Sequence, residues 1–157
     1  GSLARQGVRT SALVLDGDGA HELVGSPDAD AVPVRALGTW LHEPAGAVIR
    51  ARLIGAVAAS LDAGVVSERI AYLTTDADVT SPFTQRFRVL ATLPLDEKAI
   101  QREVRARGIG TLEVKKRGAD VDPDRLRRRL RLEGGASATL VATRLDGRHR
   151  AILAERA

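Results

Sequence analysis

The chain reads as an α+β domain built on a mixed sheet, and three features of its 157 residues carry that expectation. Apolar runs with the two-residue period of strands alternate along the chain with runs of helical period. Strand pairs meet at turn signals near both ends, Gly17-Asp18-Gly19 early and Asp146-Gly147 late. An apolar fraction of 44% supplies a real core for a chain of this length. The expected order is β-β-α-β-β-α-β-α-β-β, with about three helices and a β-hairpin at each end.

The first hairpin pairs Ser11–Asp16 with His21–Val24. Leu13–Gly19 superficially resembles the strand, acid and glycine loop that holds adenosine cofactors. Its glycines fall in the wrong register and no helical pattern follows, so the turn reading stands. Residues 25–36 oppose regular structure through Ser26, Pro27, Asp28, Asp30 and Pro33, and read as a linker. Residues 1–36 are therefore expected to form a hairpin and linker, and 37–157 the main α+β domain.

Pro44 opens a helix expected to run to about Asp62, apolar on nearly every side and hence buried. Arg50 and Arg52 are its exceptions and would then require a carboxylate or carbonyl partner, Glu43 being one candidate. Val65-Val66 and Ile70–Leu73 read as short strands ended by Thr74-Thr75-Asp76. Arg86–Leu93 alternates with Phe87, Val89, Ala91 and Leu93 inward. Asp96 caps a helix over Glu97–Arg107, with Ile100 and Val104 inward and Gly108 at its end.

The stretch from Gly110 to Gly135 concentrates the basic residues. Its strand places Leu112, Val114 and Lys116 on one face and Thr111, Glu113, Lys115 and Arg117 on the other. Its helix begins with Asp122 as N-cap and Pro123 in the first turn, and Gly134 is expected to stop it. Leu126 and Leu130 share one narrow face, and Arg125, Arg127, Arg128, Arg129 and Arg131 crowd the rest. The closing hairpin joins Ser137–Leu145 to Arg148–Ala154 through Asp146-Gly147. Counting outward from this two-residue turn pairs Leu145 with Arg148, Arg144 with His149, Thr143 with Arg150 and Val141 with Ile152.

Composition narrows the functional classes. Mean hydropathy is -0.09, and no apolar run reaches the roughly 18 residues that span a bilayer. The absence of cysteine removes disulfides and thiolate metal sites and fits a cytoplasmic protein. Gly1-Ser2 reads as the scar of a removed expression tag, so a piece of a longer protein is expected. The net charge of +4 conceals an asymmetry: residues 1–97 carry 8 Lys/Arg against 12 Asp/Glu, and 98–157 carry 16 against 8. Arginine usage of this kind has two readings, a GC-rich coding bias or a surface that faces a polyanion. Segregation into one half favours the second.

No catalytic constellation is found. His21, His42 and His149 stand isolated and read as surface or turn histidines. Asp120, Asp122 and Asp124 have calcium-loop spacing, but Arg125 and Arg131 occupy the positions that need Gly and Glu. Ser81 and Ser137 lack a nucleophile context, and there is no Walker loop. Neither a catalytic, a cofactor-binding nor a metal site is expected. Phosphate binding has the better physical case, because phosphate contacts dominate nucleic-acid affinity. The expected contacts are Lys115, Lys116, Arg117, Arg125, Arg128, Arg129, Arg148 and Arg150. With only Trp40, Tyr72, Phe83 and Phe87 as aromatics, and at least three of them core-like, a folded or duplex RNA is favoured over a single strand.

Four collinear blocks complete the reading: LHEPAGAVIRA at 41–51, IAYLTTD at 70–76, LEVKKRG at 112–118 and DPDRLRRRL at 122–130. Together, over about residues 37–155, they resemble the C-terminal THUMP-like domain of bacterial class I S-adenosylmethionine-dependent methyltransferases. The resemblance implies an accessory domain with no cofactor site of its own. A catalytic domain would lie N-terminal and bind S-adenosylmethionine, and the first hairpin would mark the junction. It also implies recruitment of a structured RNA, tRNA or rRNA, with Lys115, Lys116 and Arg117 in the matching basic block. His42 stands where the family often has Tyr. The alternative is a structural module that packs on the catalytic domain or mediates dimerisation, in either case without a membrane.

Overall fold

The computed structural model describes residues 7–29 and 31–157; the expectations for Gly1-Ser2 and Asp30 lie outside them. The chain divides into two compact units between Arg86 and Phe87.

The first unit opens with the expected hairpin, β1 (Thr10–Asp16) and β2 (Gly19–Gly25), in which Asp16 faces Gly19 across the turn. Its inner face supplies Ala12 and Leu23 to a core with Val48, Leu53, Val57 and Leu73. β3 (Trp40–Pro44), β4 (Gly64–Val65) and β5 (Leu73–Thr75) pair antiparallel in the order β4-β5-β3. β3 is a strand the sequence reading missed, since Pro44 reads there as the start of a helix. β5 lies later than expected and includes the threonines that sequence alone places at its end. Thr74 is held inside the unit by donating to the Trp40 carbonyl and accepting from the Gly38 N–H, both at 2.8 Å.

The single helix expected over 44–62 is two: α1 (Gly46–Arg50) and α2 (Ile54–Leu61). Nothing in the intrinsic propensity of Ala51-Arg52-Leu53 demands the break. It comes from partners distant in sequence. The Ala51 carbonyl accepts from the Thr10 hydroxyl at 2.7 Å, the Arg52 carbonyl from the Asp28 N–H at 2.9 Å, and Arg52 pairs with Asp28. Arg52 takes a left-handed conformation, φ 60°. Arg50 is exposed, not buried, so it needs no internal partner; Glu43 instead accepts from the Tyr72 hydroxyl. Only Val48 of α1 is buried, so this segment is amphipathic and not apolar all round.

The second unit is a mixed sheet with helices, as expected. Its strand order is β6 (Thr84–Pro94), β9 (Arg148–Arg156), β8 (Ala136–Leu145), β7 (Ile109–Lys116). β6 and β8 each run antiparallel to β9, and β7 runs parallel to β8. A parallel pair needs a crossover, here α4 (Pro123–Leu130). α3 (Glu97–Ala106) joins β6 to β7, its Asp96 cap accepting from the Ala99 N–H at 3.0 Å. Ile100, Val104, Leu126 and Leu130 from the helices pack with Leu112, Val114, Leu140 and Leu153 from the sheet. A bulge between Val89 and Ala91 lets Leu90, Ala91 and Leu93 all meet this core, which strict alternation does not predict.

The closing hairpin has the predicted register at every pair named, and both turn residues have positive φ, Asp146 52° and Gly147 71°. Gly134 does not stop α4; Arg131 does, at φ 48°. The role of Gly134 is close approach: a Cβ there would lie 2.0 Å from the Gly108 carbonyl oxygen, and one on Gly110 would lie 1.9 Å from that of Gly134. No helix among the described residues is long and apolar enough to cross a membrane.

Candidate nucleic-acid interface

The eight predicted contacts fall into two groups, both in the second unit. The first gathers at one end of the sheet. β7 alternates as expected, with Leu112 and Val114 buried, and its last residues lie beside β8, Lys115 opposite Val141 and Lys116 opposite Ala142. The Arg117 N–H then donates to the Ala142 carbonyl at 2.8 Å. One residue further along β8 the hairpin tip begins, where Thr143 faces Arg150, Arg144 faces His149 and Leu145 faces Arg148. The strand pairing thus brings Lys116 and Arg117 next to the basic tip. Lys115 is more enclosed. Its side chain is 15% exposed and Nζ lies 3.3 Å from Glu113, which also accepts from Arg156 at 2.7 Å. The Arg156 hydrogen bond, followed by that of Lys115, holds the Glu113 carboxyl below the usual carboxylate range.

The second group lies on α4. Asp122 accepts from the backbone N–H groups of Asp124 and Arg125 at 3.1 and 3.2 Å, so the cap forms as the sequence predicts. With Leu126 and Leu130 inward, Arg125, Arg128 and Arg129 are left exposed. Arg127 is tied to Asp124 three residues before it, and Arg129 Nε is 2.8 Å from Glu97 of α3. Among the described residues, Arg125, Arg128, Arg148 and Arg150 have no carboxylate within 4.0 Å. The same is true of Arg144, Arg131 and Lys98, which the residue predictions omitted. Arg131 was visible as the end of the arginine run, and Lys98 as one of only three lysines.

Two aromatic positions depart from the sequence reading. Tyr72 and Phe87 are buried, but Trp40 and Phe83 are only half-buried. The Trp40 face is occupied by the Arg86 guanidinium, 4.2 Å from the ring centroid, and Arg86 pairs with Asp78. That ring is therefore already stacked.

His42 corrects the expectation of a surface or turn histidine, for it is fully buried on β3. The Thr75 hydroxyl has one hydrogen, which it donates to the Ala77 carbonyl at 2.9 Å. The 2.8 Å contact between Thr75 Oγ1 and His42 Nε2 therefore has the imidazole as donor, and the lone pair falls on Nδ1, which is buried without a partner. Burial, reinforced by the charge of Arg86, lowers the His42 pKa to about 4. A neutral ring with one bond made is a packing element. His21 is half-buried, bonded to Asp16 at 3.2 Å, and His149 is exposed. Among the described residues, no group of three or more His, Asp and Glu side chains is placed to hold a metal ion.

Comparison with known proteins places this geometry. Residues 84–156, which take in the second unit up to its last residue but one, match the THUMP domain-like family. The chain is 37% identical over 143 residues, 91% of its length, to a protein of Mycobacterium tuberculosis, strain CDC 1551, called an uncharacterized S-adenosylmethionine-dependent methyltransferase. The corresponding protein of strain H37Rv matches equally. The chain spans 38% of the length of these relatives. Among solved structures, a putative methyltransferase of Porphyromonas gingivalis W83 superposes with a TM-score of 0.80 over 96% of this chain and 38% of its own. At 20% identity that likeness is one of fold. Residues 84–156 thus form a THUMP-like domain, in a chain similar over most of its length to part of proteins named S-adenosylmethionine-dependent methyltransferases.

Proposed function

We propose that this chain is the substrate-recruiting part of a cytoplasmic S-adenosylmethionine-dependent methyltransferase and binds a structured RNA, tRNA or rRNA. The parent protein would bind the cofactor and perform the transfer in an N-terminal catalytic domain, joined through the hairpin and linker of residues 1–36 to the THUMP-like part at 37–157. This part would itself be non-catalytic. The carrying observation is the sheet end where Lys116 and Arg117 meet Arg144, Arg148 and Arg150, the last three without carboxylate partners among the described residues. Cations gathered this way are what a phosphate backbone selects.

Binding to folded bulk tRNA across a salt series tests the reading. The wild-type chain should bind and weaken steeply with salt. A variant carrying Lys115→Ala, Lys116→Ala and Arg117→Ala should bind less and show a shallower slope, by roughly 0.7–0.9 for each phosphate that the variant leaves unneutralised. Absence of binding at low salt, or a preference for unstructured oligonucleotides, would count against it.

A second reading has its own observation. Leu13, Leu15 and Val24 share the outer face of the first hairpin and are 58%, 73% and 50% exposed. An apolar face of this kind suits a structural module that packs on the catalytic domain or a second copy.

A further inference from the structure

A separate feature of the second unit is a cleft of about 430 Å³ between α3 and α4, lined by Glu97, Lys98, Gln101, Arg128, Arg129 and Arg131. Four of its six side chains are cationic and one is anionic. The anion is paired: Glu97 Oε1 lies 2.8 Å from Arg129 Nε. Gln101 is likewise fixed, its amide donating to the Leu130 carbonyl at 3.1 Å. Lys98, Arg128 and Arg131 have no carboxylate within 4.0 Å among the described residues.

Compensation of the helix dipole explains only part of this. Arg128 and Arg129 lie in the last turn of α4, where positive charge is favourable. Lys98 lies in the first turn of α3, where it is unfavourable, yet it lines the same cleft. Cations drawn from opposite ends of two helices over one concavity make it attractive to an anion. A planar guanidinium such as that of Arg129 can address two oxygens of a phosphate at once, and the surrounding cations add the charge that a phosphate carries.

We propose that the cleft between α3 and α4 is a phosphate-binding site, formed by the Arg129 guanidinium with Lys98, Arg128 and Arg131 as the surrounding charge. Its biological occupant is a backbone phosphate of the RNA, which rests on the recruiting role proposed above. The site is distinct from the sheet end formed by Lys116, Arg117 and the hairpin tip, so a bound RNA touches both.

The test uses the whole 157-residue chain and two probes, inorganic phosphate and folded bulk tRNA. Nuclear magnetic resonance of the Gln101 side-chain amide and Arg129 Nε–H reads phosphate occupancy. Saturable shifts confined to these groups, abolished in a Lys98→Gln, Arg128→Gln, Arg131→Gln variant whose melting temperature is unchanged, support the site. Non-saturating shifts spread over all exposed arginines overturn it. With tRNA, the variant should bind about tenfold more weakly, with a shallower salt slope. If tRNA binds the variant as it binds wild type, the RNA assignment of this cleft is wrong while the recruiting role stands. If tRNA binds neither protein but phosphate saturates the cleft, the site stands as one for free phosphate and the recruiting role falls.

Discussion

The two units use the same charged residue types in different balance. The first carries 7 Lys/Arg against 10 Asp/Glu, the second 17 against 10. In the first, arginines are tied to acids distant in sequence, Arg35 to Asp76, Arg52 to Asp28 and Arg86 to Asp78. In the second, Arg88–Glu155, Arg156–Glu113 and Arg129–Glu97 also join distant residues, and Arg127–Asp124 and Arg107–Glu103 are local. But Lys98, Arg125, Arg128, Arg131, Arg144, Arg148 and Arg150 have no carboxylate within 4.0 Å among the described residues. Three arginines of the first unit thus fasten loops, and the excess of cations in the second is displayed. Exposed pairs of either kind contribute about 0–1 kcal/mol each, so the difference bears on binding far more than on stability.

The largest effect expected separates the units by their backbones. Replacing Gly110 or Gly134 with Ala forces a Cβ into a carbonyl oxygen of the neighbouring strand entry, and Gly134 also has φ 132°. Each should cost on the order of 4 kcal/mol, seen as a fall in the urea midpoint followed by circular dichroism. Gly17→Ala, at a turn where a Cβ would meet nothing within 4 Å, is the control and should change little. Equal destabilisation at Gly17 would remove the close approach as the cause.

Next is the pH response of the first unit. His42 titrates near 4 when folded against an ordinary value near 6.5, so the unfolded chain binds the extra proton between these values. Stability should therefore fall as pH drops from 6.5 to 4, by up to about 3 kcal/mol. His42→Phe should be nearly insensitive over that window, measured as urea midpoints at pH 7 and 4.5. A parallel fall in the variant would assign the effect to carboxylates instead.

These two cases also show what the sequence made legible. The register of β8 and β9 was readable because Asp146-Gly147 admits a two-residue turn and nothing else, and every pair then follows by counting. The cap at Asp122 and the inward Leu126 and Leu130 were readable for the same reason, since each depends on neighbours within a few residues. The break between α1 and α2 was not, because the groups that claim the Ala51 and Arg52 carbonyls are Thr10 and Asp28. His42 carries no periodic sign of burial, and its partner Thr75 is 33 residues away. In the candidate interface, the arginine run was plain, but Lys98 joined it only through helix packing.

A smaller effect concerns the scaffold of the display. Asp122→Ala removes acceptors for two backbone N–H groups at the start of α4 and should cost about 1 kcal/mol. Asp122→Asn should recover most of it. If removing the cap lowers phosphate or tRNA binding by more than the stability change accounts for, the placement of Arg128 and Arg129 depends on a rigid α4.

The smallest effect on stability, and the one that decides between the two functional readings, lies on the first hairpin. Leu15→Lys and Leu13→Thr replace side chains already mostly in water, so each should change stability by no more than about 0.5 kcal/mol, read from the urea midpoint. The inner face, with Ala12 at 1% exposure, would respond strongly to a similar change. If the outer face serves only solvent, both variants should behave as wild type in every assay. If it is a docking surface, they should weaken binding to an added methyltransferase domain, or self-association, while tRNA binding by the second unit is untouched. The two readings are then separable, because each draws on a different unit of the chain. Impaired assembly alone marks the hairpin as the joint, and impaired RNA binding alone marks the basic surface as the recruiting face.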